Sequence, residues 1–124
     1  MIAYANAEPG GDVVDALLRD PNSLCSAHAI NVCEVYYGVL RAADEQTVRQ
    51  LITDLYADGV TERRDLSRRF WSRVGRLKAR GRISLADCFC LALAQQLSGQ
   101  VVTADHKEFD PLVPLGLCPI LFIR

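Results

Sequence analysis

Cys88 to Ala94 reads "CFCLALA", a run without a charged or amide side chain. Wound into a helix it leaves almost no wet face, so the fold has to cover it on more than one side. A single amphipathic layer cannot do that. With 124 residues, half of them hydrophobic, the chain is sized for one domain over 1–124 with a proper core. A domain of that length buries roughly two-thirds of the surface its unfolded form exposes.

The rest of the pattern says what the covering layers are. Short apolar stretches read as strands: part of "SLCSAHAI" (Ser23 to Ile30), a brief one in "DGVTE", then "VVTAD" (Val101 to Asp105) and "PILFIR" (Pro119 to Arg124). Between them lie helical periodicities. Met1 to Asn6 is broken by "EPGG", and Asp12 to Leu18 follows. A helix from Asn31 carries Val32, Val35, Tyr36 and Val39; Thr47 to Tyr56 puts Val48, Leu51, Ile52 and Leu55 inward. Leu66, Phe70, Val74 and Leu77 then repeat at helical spacing up to "ARGR". Short, wholly apolar strands alternating with helices predict an α/β fold with a parallel sheet flanked by helices on both faces. In such sheets the functional site lies at the carboxyl ends of the strands.

Charge excludes some functions and locates others. The formal net charge is −1, which gives no chain-wide field for nucleic acid or membrane. Nine of the fourteen Lys and Arg residues, however, fall between Glu62 and Arg82, against two acids. Arg76, Lys78, Arg80 and Arg82 lead into the apolar helix and are candidate phosphate contacts. The five cysteines are odd in number and irregularly spaced, and Cys88-x-Cys90 lacks zinc spacing. They read as reduced thiols of a cytoplasmic protein. No stretch reaches the roughly 18 apolar residues of a membrane span.

Three acids stand where chemistry is expected. Asp87 is the third residue after Ser84 in a capping-box pattern; Glu34 is the third after Asn31; Asp105 ends a strand and precedes "HKEF". Each has a purely structural reading as a cap. All three also fall at a helix start or just past a strand, the places that parallel topology gathers at one sheet edge. Carboxylates converging there repel one another and raise their own pKa values unless a cation sits among them. Hard oxygen donors without sulfur or imidazole suit Mg²⁺ or Mn²⁺. Thr103 and Glu108 are candidate supporting groups, with an ordinary strand residue and a solvated turn acid as their plain readings. His106 reads as a surface residue, and Trp71 as core or interface.

These residues carry a family resemblance. "INVCEVYYGVLR", "GRISLADCFCLALAQQLSGQVVTADHKEFDPL" and "ILFIR" resemble the PIN-domain ribonucleases, in particular the VapC-like toxins of toxin–antitoxin pairs. The resemblance implies a PIN-like three-layer fold with a five-stranded parallel sheet. It implies a metal-dependent endoribonuclease that cleaves single-stranded or looped RNA with Mg²⁺ or Mn²⁺. Glu34, Asp87 and Asp105 match the family's acids. Frequent dimers and neutralisation by a small antitoxin are also implied.

One part of the pattern differs. PIN domains open with a strand ending in an Asp, whereas "MIAYANAEPGG" resembles the helix that follows it. The expectation is therefore a PIN-like fold with its usual first strand missing from this chain. Either Met1 lies inside a longer natural protein, or the metal site is weakened. The second possibility keeps an alternative function open: a PIN-like module that binds a partner protein or RNA without cutting it.

Overall fold

The computed structural model describes residues 1–124, arranged as two compact units. One comprises Met1–Arg63 with Ile123–Arg124; the other is Arg64–Phe122.

In the first unit, α1 (Ile2–Ala5) and α2 (Gly11–Arg19) meet at the "EPGG" corner. Gly10 has φ +88°, and a β-carbon there would lie 2.5 Å from the Ile123 carbonyl oxygen. Only glycine tolerates both the left-handed backbone and that approach. Arg124 closes the corner, donating to Glu8 Oε2 and to the Pro9 carbonyl, each at 3.0 Å. Strand β1 (Ser26–His28) then runs parallel to β2 (Thr61–Arg63), with Ser26 opposite Thr61 and His28 opposite Arg63. The crossover between them consists of α3 (Ala29–Leu40) and α4 (Glu45–Ala57), as a parallel pair requires. Val32, Val35, Val48 and Leu55 are buried.

Helix α3 begins two residues before the Asn31 start that the sequence suggests. His28, not Asn31, is the N-cap: its Nδ1 accepts the Ile30 backbone N–H at 3.2 Å. The imidazole is 1% exposed. A ring nitrogen serves here in place of the usual hydroxyl or carboxylate cap.

The second unit is built on α5 (Arg68–Arg80) and α6 (Leu85–Leu97). Phe70, Val74 and Leu77 of α5 join Cys88, Phe89, Leu91, Ala92 and Leu93 of α6 in one apolar cluster with Val101 and Phe109. The "CFCLALA" run is thus enclosed, as its lack of a wet face demands. Leu66 is not part of this core; it is 62% exposed and precedes the Ser67 N-cap of α5. Strand β3 (Val101–Thr103) pairs in parallel with β4 (Ile120–Phe122). Between them come α7 (His106–Phe109) and a 3-10 turn over Asp110–Leu115.

The fold is the expected α/β type with parallel strands. The four strands form two separate pairs, β1–β2 and β3–β4, in place of the five-stranded sheet that the resemblance implies. The N-terminal segment is helical from Ile2, in line with its resemblance to the helix that follows the family's opening strand.

Candidate functional site

Four of the five acids and hydroxyls singled out in the sequence lie in the second unit, and a continuous run of hydrogen bonds connects them. Thr103 stands at the end of β3, where its Oγ1 accepts the Asp105 backbone N–H at 3.0 Å. Asp105 caps α7, its Oδ1 accepting the Glu108 N–H at 3.0 Å. Glu108 reaches back across the chain, and its Oε2 accepts the Ser84 backbone N–H at 3.0 Å. Ser84 caps α6 by accepting the Asp87 N–H, while its hydroxyl donates to Asp87 Oδ2 at 2.6 Å. The end of a strand and the starts of two helices are joined through one serine.

The electrostatics follow from this placement. Asp87 is half-buried, and burial is the main force pushing its carboxyl above the ordinary aspartate value. The Ser84 hydroxyl pulls in the opposite direction by stabilising the anion. The Glu108 and Asp105 charges push it further up. Ionisation of Asp87 is therefore disfavoured, first by burial and then by its two acidic neighbours. Their donor atoms are all hard oxygens, the chemistry of a Mg²⁺ or Mn²⁺ ligand set. Each is also engaged as a cap or cap partner, and no three His, Cys, Asp or Glu side chains are gathered as a ready-made ion cage. The donor chemistry fits a divalent cation, while the hydrogen bonds present run to backbone N–H groups and to the Ser84 hydroxyl.

Glu34 lies on α3 in the first unit, half-buried, with the Tyr37 hydroxyl donating to its Oε1 at 3.5 Å. Among the basic candidates, Arg76, Arg80 and Arg82 are exposed. Lys78 is exposed as well, and its Nζ donates to the Ile83 carbonyl at 2.5 Å. That contact joins the end of α5 to the turn before α6. His106 is exposed, stacked on Phe122 with ring centroids 4.1 Å apart, and its Nδ1 is 2.9 Å from Asp110 Oδ1. Trp71, read from sequence as core or interface, is 51% exposed.

Sequence reasoning saw Ser84 only as the cap of Asp87. Its backbone bond to Glu108 was out of reach, because no local pattern links residues 24 positions apart.

The PIN domain family model matches residues 1–111. The chain belongs to the PIN family. The match spans most of both compact units, and PIN domains are generally nucleases that use divalent metal ions. Among solved structures, this PIN domain is similar to a chain of VapBC2 from Rickettsia felis, whose crystal structure was determined bound to a DNA fragment from their promoter. The TM-score is 0.71 at 17% sequence identity, covering 96% of this chain and 90% of that one. At that identity the likeness is one of fold. No curated protein sequence matches. No helix is long and apolar enough to cross a membrane.

Proposed function

We propose that this PIN domain, residues 1–124, is a divalent-metal-dependent endoribonuclease acting on single-stranded or looped RNA. The observation that carries the reading is Asp87, held half-buried at a helix start with its carboxyl raised by burial and by Glu108 and Asp105. A half-buried acid shifted by burial and by specific charged neighbours is a functional-site candidate. Asp87 and Asp105 are the groups of the second unit that would hold Mg²⁺ or Mn²⁺, and Glu34 is a separate candidate ligand within the first unit. A divalent cation, when bound, polarises a phosphate and lowers the pKa of water near it. Thr103 holds the chain at Asp105, and Glu108 holds Ser84, so that each orients a proposed ligand through a backbone contact. Arg76, Arg80 and Arg82 supply positive charge for the RNA backbone, with Lys78 fixing the α5–α6 turn. The similarity to a VapBC2 chain supports a toxin role with a small antitoxin protein as partner; a second copy of the chain and a cytoplasmic location complete the proposal.

A second reading has its own supporting observation. Asp87, Asp105 and Glu108 all have hydrogen-bond roles that persist without an ion. A chain using them only as caps would bind RNA or a partner without cutting. Cleavage of unstructured RNA in Mg²⁺ or Mn²⁺, in EDTA, and by Asp87→Asn separates the two. The nuclease reading expects cleavage that EDTA abolishes and that Asp87→Asn lowers by more than the 10- to 100-fold typical of a residue outside the ligand set. Cleavage unchanged by EDTA or by the substitution overturns the metal mechanism.

A further inference from the structure

Helix α5 is well packed on one side, and its solvent side has an uneven chemistry. At 100° per residue, the buried Phe70, Val74 and Leu77 define the inner face. Arg69, Arg73, Arg76 and Arg80, spaced i, i+4, i+7 and i+11, fall on one flank, with Arg73 nearest the core. This arginine row covers roughly 16 Å of helix axis, about the rise of five nucleotides along one strand. Arg73 leans onto α6, with Nη1 3.5 Å from the Ala92 carbonyl, which fixes the row against the unit's core. Helix α5 itself carries no acid to neutralise it.

The opposite flank carries Trp71, the only tryptophan of the chain and 51% exposed. Between the flanks run Ser72, Gly75 and Ala79, all small, with Arg68 on the same strip in the first turn. A β-carbon added at Gly75 would meet nothing within 4 Å, so the space above the middle of the helix is open. Guanidiniums on one side, an aromatic ring on the other and a low floor between them are the parts from which single-stranded nucleic-acid sites are made. An apolar protein partner would leave the arginines facing it without counter-charges, a costly arrangement.

We propose that the outer face of α5 is a docking track for single-stranded RNA, with Arg69, Arg76 and Arg80 on phosphates and Trp71 stacked on a base. This extends the nuclease reading by placing the strand, and it assigns Trp71 to binding in place of the core.

Because Trp71 is the sole tryptophan, its emission reports on the stacking directly. Poly(U) is titrated into the full chain in EDTA, so that no strand is cut, with a blunt RNA duplex alongside. A saturable change in Trp71 emission with poly(U), weaker with duplex and shifted to higher concentration by salt, is the expected result. Arg69→Ala/Arg76→Ala should flatten the salt dependence by about two phosphate contacts. Trp71→Leu should weaken binding of fluorescein-labelled oligouridylate on the order of tenfold, with Trp71→Phe recovering most of it. Binding with unchanged Trp71 emission, or no binding of poly(U), overturns the proposal. Emission that changes with protein concentration and not with poly(U) makes Trp71 a protein–protein contact and overturns it too. The nuclease reading fails separately: poly(U) docking without Mn²⁺-dependent cleavage removes the enzyme and leaves the track.

Discussion

The Ser84 hydroxyl donates to Asp87 Oδ2 at 2.6 Å while Ser84 Oγ accepts the Asp87 backbone N–H at 3.0 Å. One hydroxyl therefore caps the helix and holds down the charge of the residue three places on. Ser84→Ala removes both at once. The lost cap should cost about 1 kcal/mol of unfolding free energy. The Asp87 carboxyl should also titrate higher than in the parent, since only the stabilising contact is gone. Chemical denaturation and carboxyl ¹³C chemical shifts measure the two effects. A variant with unchanged stability and titration would mean that the hydroxyl holds neither group.

Asp87 makes stability depend on pH in a direction opposite to that of a carboxylate held by hydrogen bonds. Its folded pKa is raised by burial first and by the Glu108 and Asp105 charges after that. The folded state thus holds its proton more tightly than the unfolded chain. That favourable term is fully present below the unfolded aspartate pKa and is lost as pH rises through the folded value. Glu8, Asp20, Asp44 and Glu45, whose pKa values are lowered by hydrogen bonds, run the other way. The difference between the parent and Asp87→Asn isolates the term. Asn should gain stability relative to the parent as pH rises from the acidic limit toward neutrality. A flat difference across that range would contradict the raised carboxyl.

Glu108 exerts two influences that a single substitution separates. Its Oε2 accepts the Ser84 N–H, and its charge pushes Asp87 upward. Glu108→Gln keeps an acceptor and removes the charge, so the Asp87 pKa should fall with little change in melting temperature. Glu108→Ala removes both, and the unpartnered Ser84 N–H should add on the order of 1–2 kcal/mol of destabilisation. Equal melting temperatures for the two variants would place the Ser84 bond outside the stability of the unit.

The parts of this molecule that were legible in sequence are those set by local rules. The enclosed helix followed from the unbroken apolar run at Cys88 to Ala94, and its cap from the Ser84–Asp87 spacing. The end of that helix at "SGQ" is met by Ser98 in the left-handed conformation, at φ 52°. What escaped depended on contacts that spacing does not encode. Asn31 looks like a cap because amides usually cap, yet the ring of His28 reaches the Ile30 N–H first. Leu66 keeps helical phase with Phe70, but Ser67 starts the helix after it, so Leu66 is left outside. The bond from Lys78 Nζ to the Ile83 carbonyl, which ties the end of α5 to the next turn, is likewise not encoded by spacing. Of the candidate site, the acids and Thr103 were readable by type and position; the Glu108–Ser84 bond that joins them was not.

The His28 cap is a stringent local test of the first unit. The ring is 1% exposed and accepts a backbone N–H, so a neutral imidazole carries its proton on Nε2. His28→Ala leaves a cavity and an unsatisfied donor together, and should cost on the order of 2–4 kcal/mol. His28→Asn keeps an acceptor at the cap and should recover part of that loss. Urea unfolding of the three proteins measures it. Equal losses for Ala and Asn would assign the effect to packing alone.

A divalent ion should be visible as stability before it is visible as catalysis. The carboxylates that share a field with Asp87 repel one another, and a cation among them replaces repulsion with attraction. Binding only to the folded state raises stability by about 2.7 kcal/mol at a hundred times the dissociation constant. For a domain of this size that is a rise of several degrees in melting temperature. Mn²⁺ should therefore raise the melting temperature of the parent, and Asp87→Asn or Asp105→Asn should abolish most of the rise. Because the ion competes with the proton on Asp87, the rise should shrink as pH falls through the raised carboxyl value. Glu34→Gln tests the remaining candidate acid: if Glu34 is a ligand, the Mn²⁺ effect should drop as it does for Asp87→Asn. An undiminished rise in Glu34→Gln would remove that residue from the ligand set, and no rise in the parent would remove the ion.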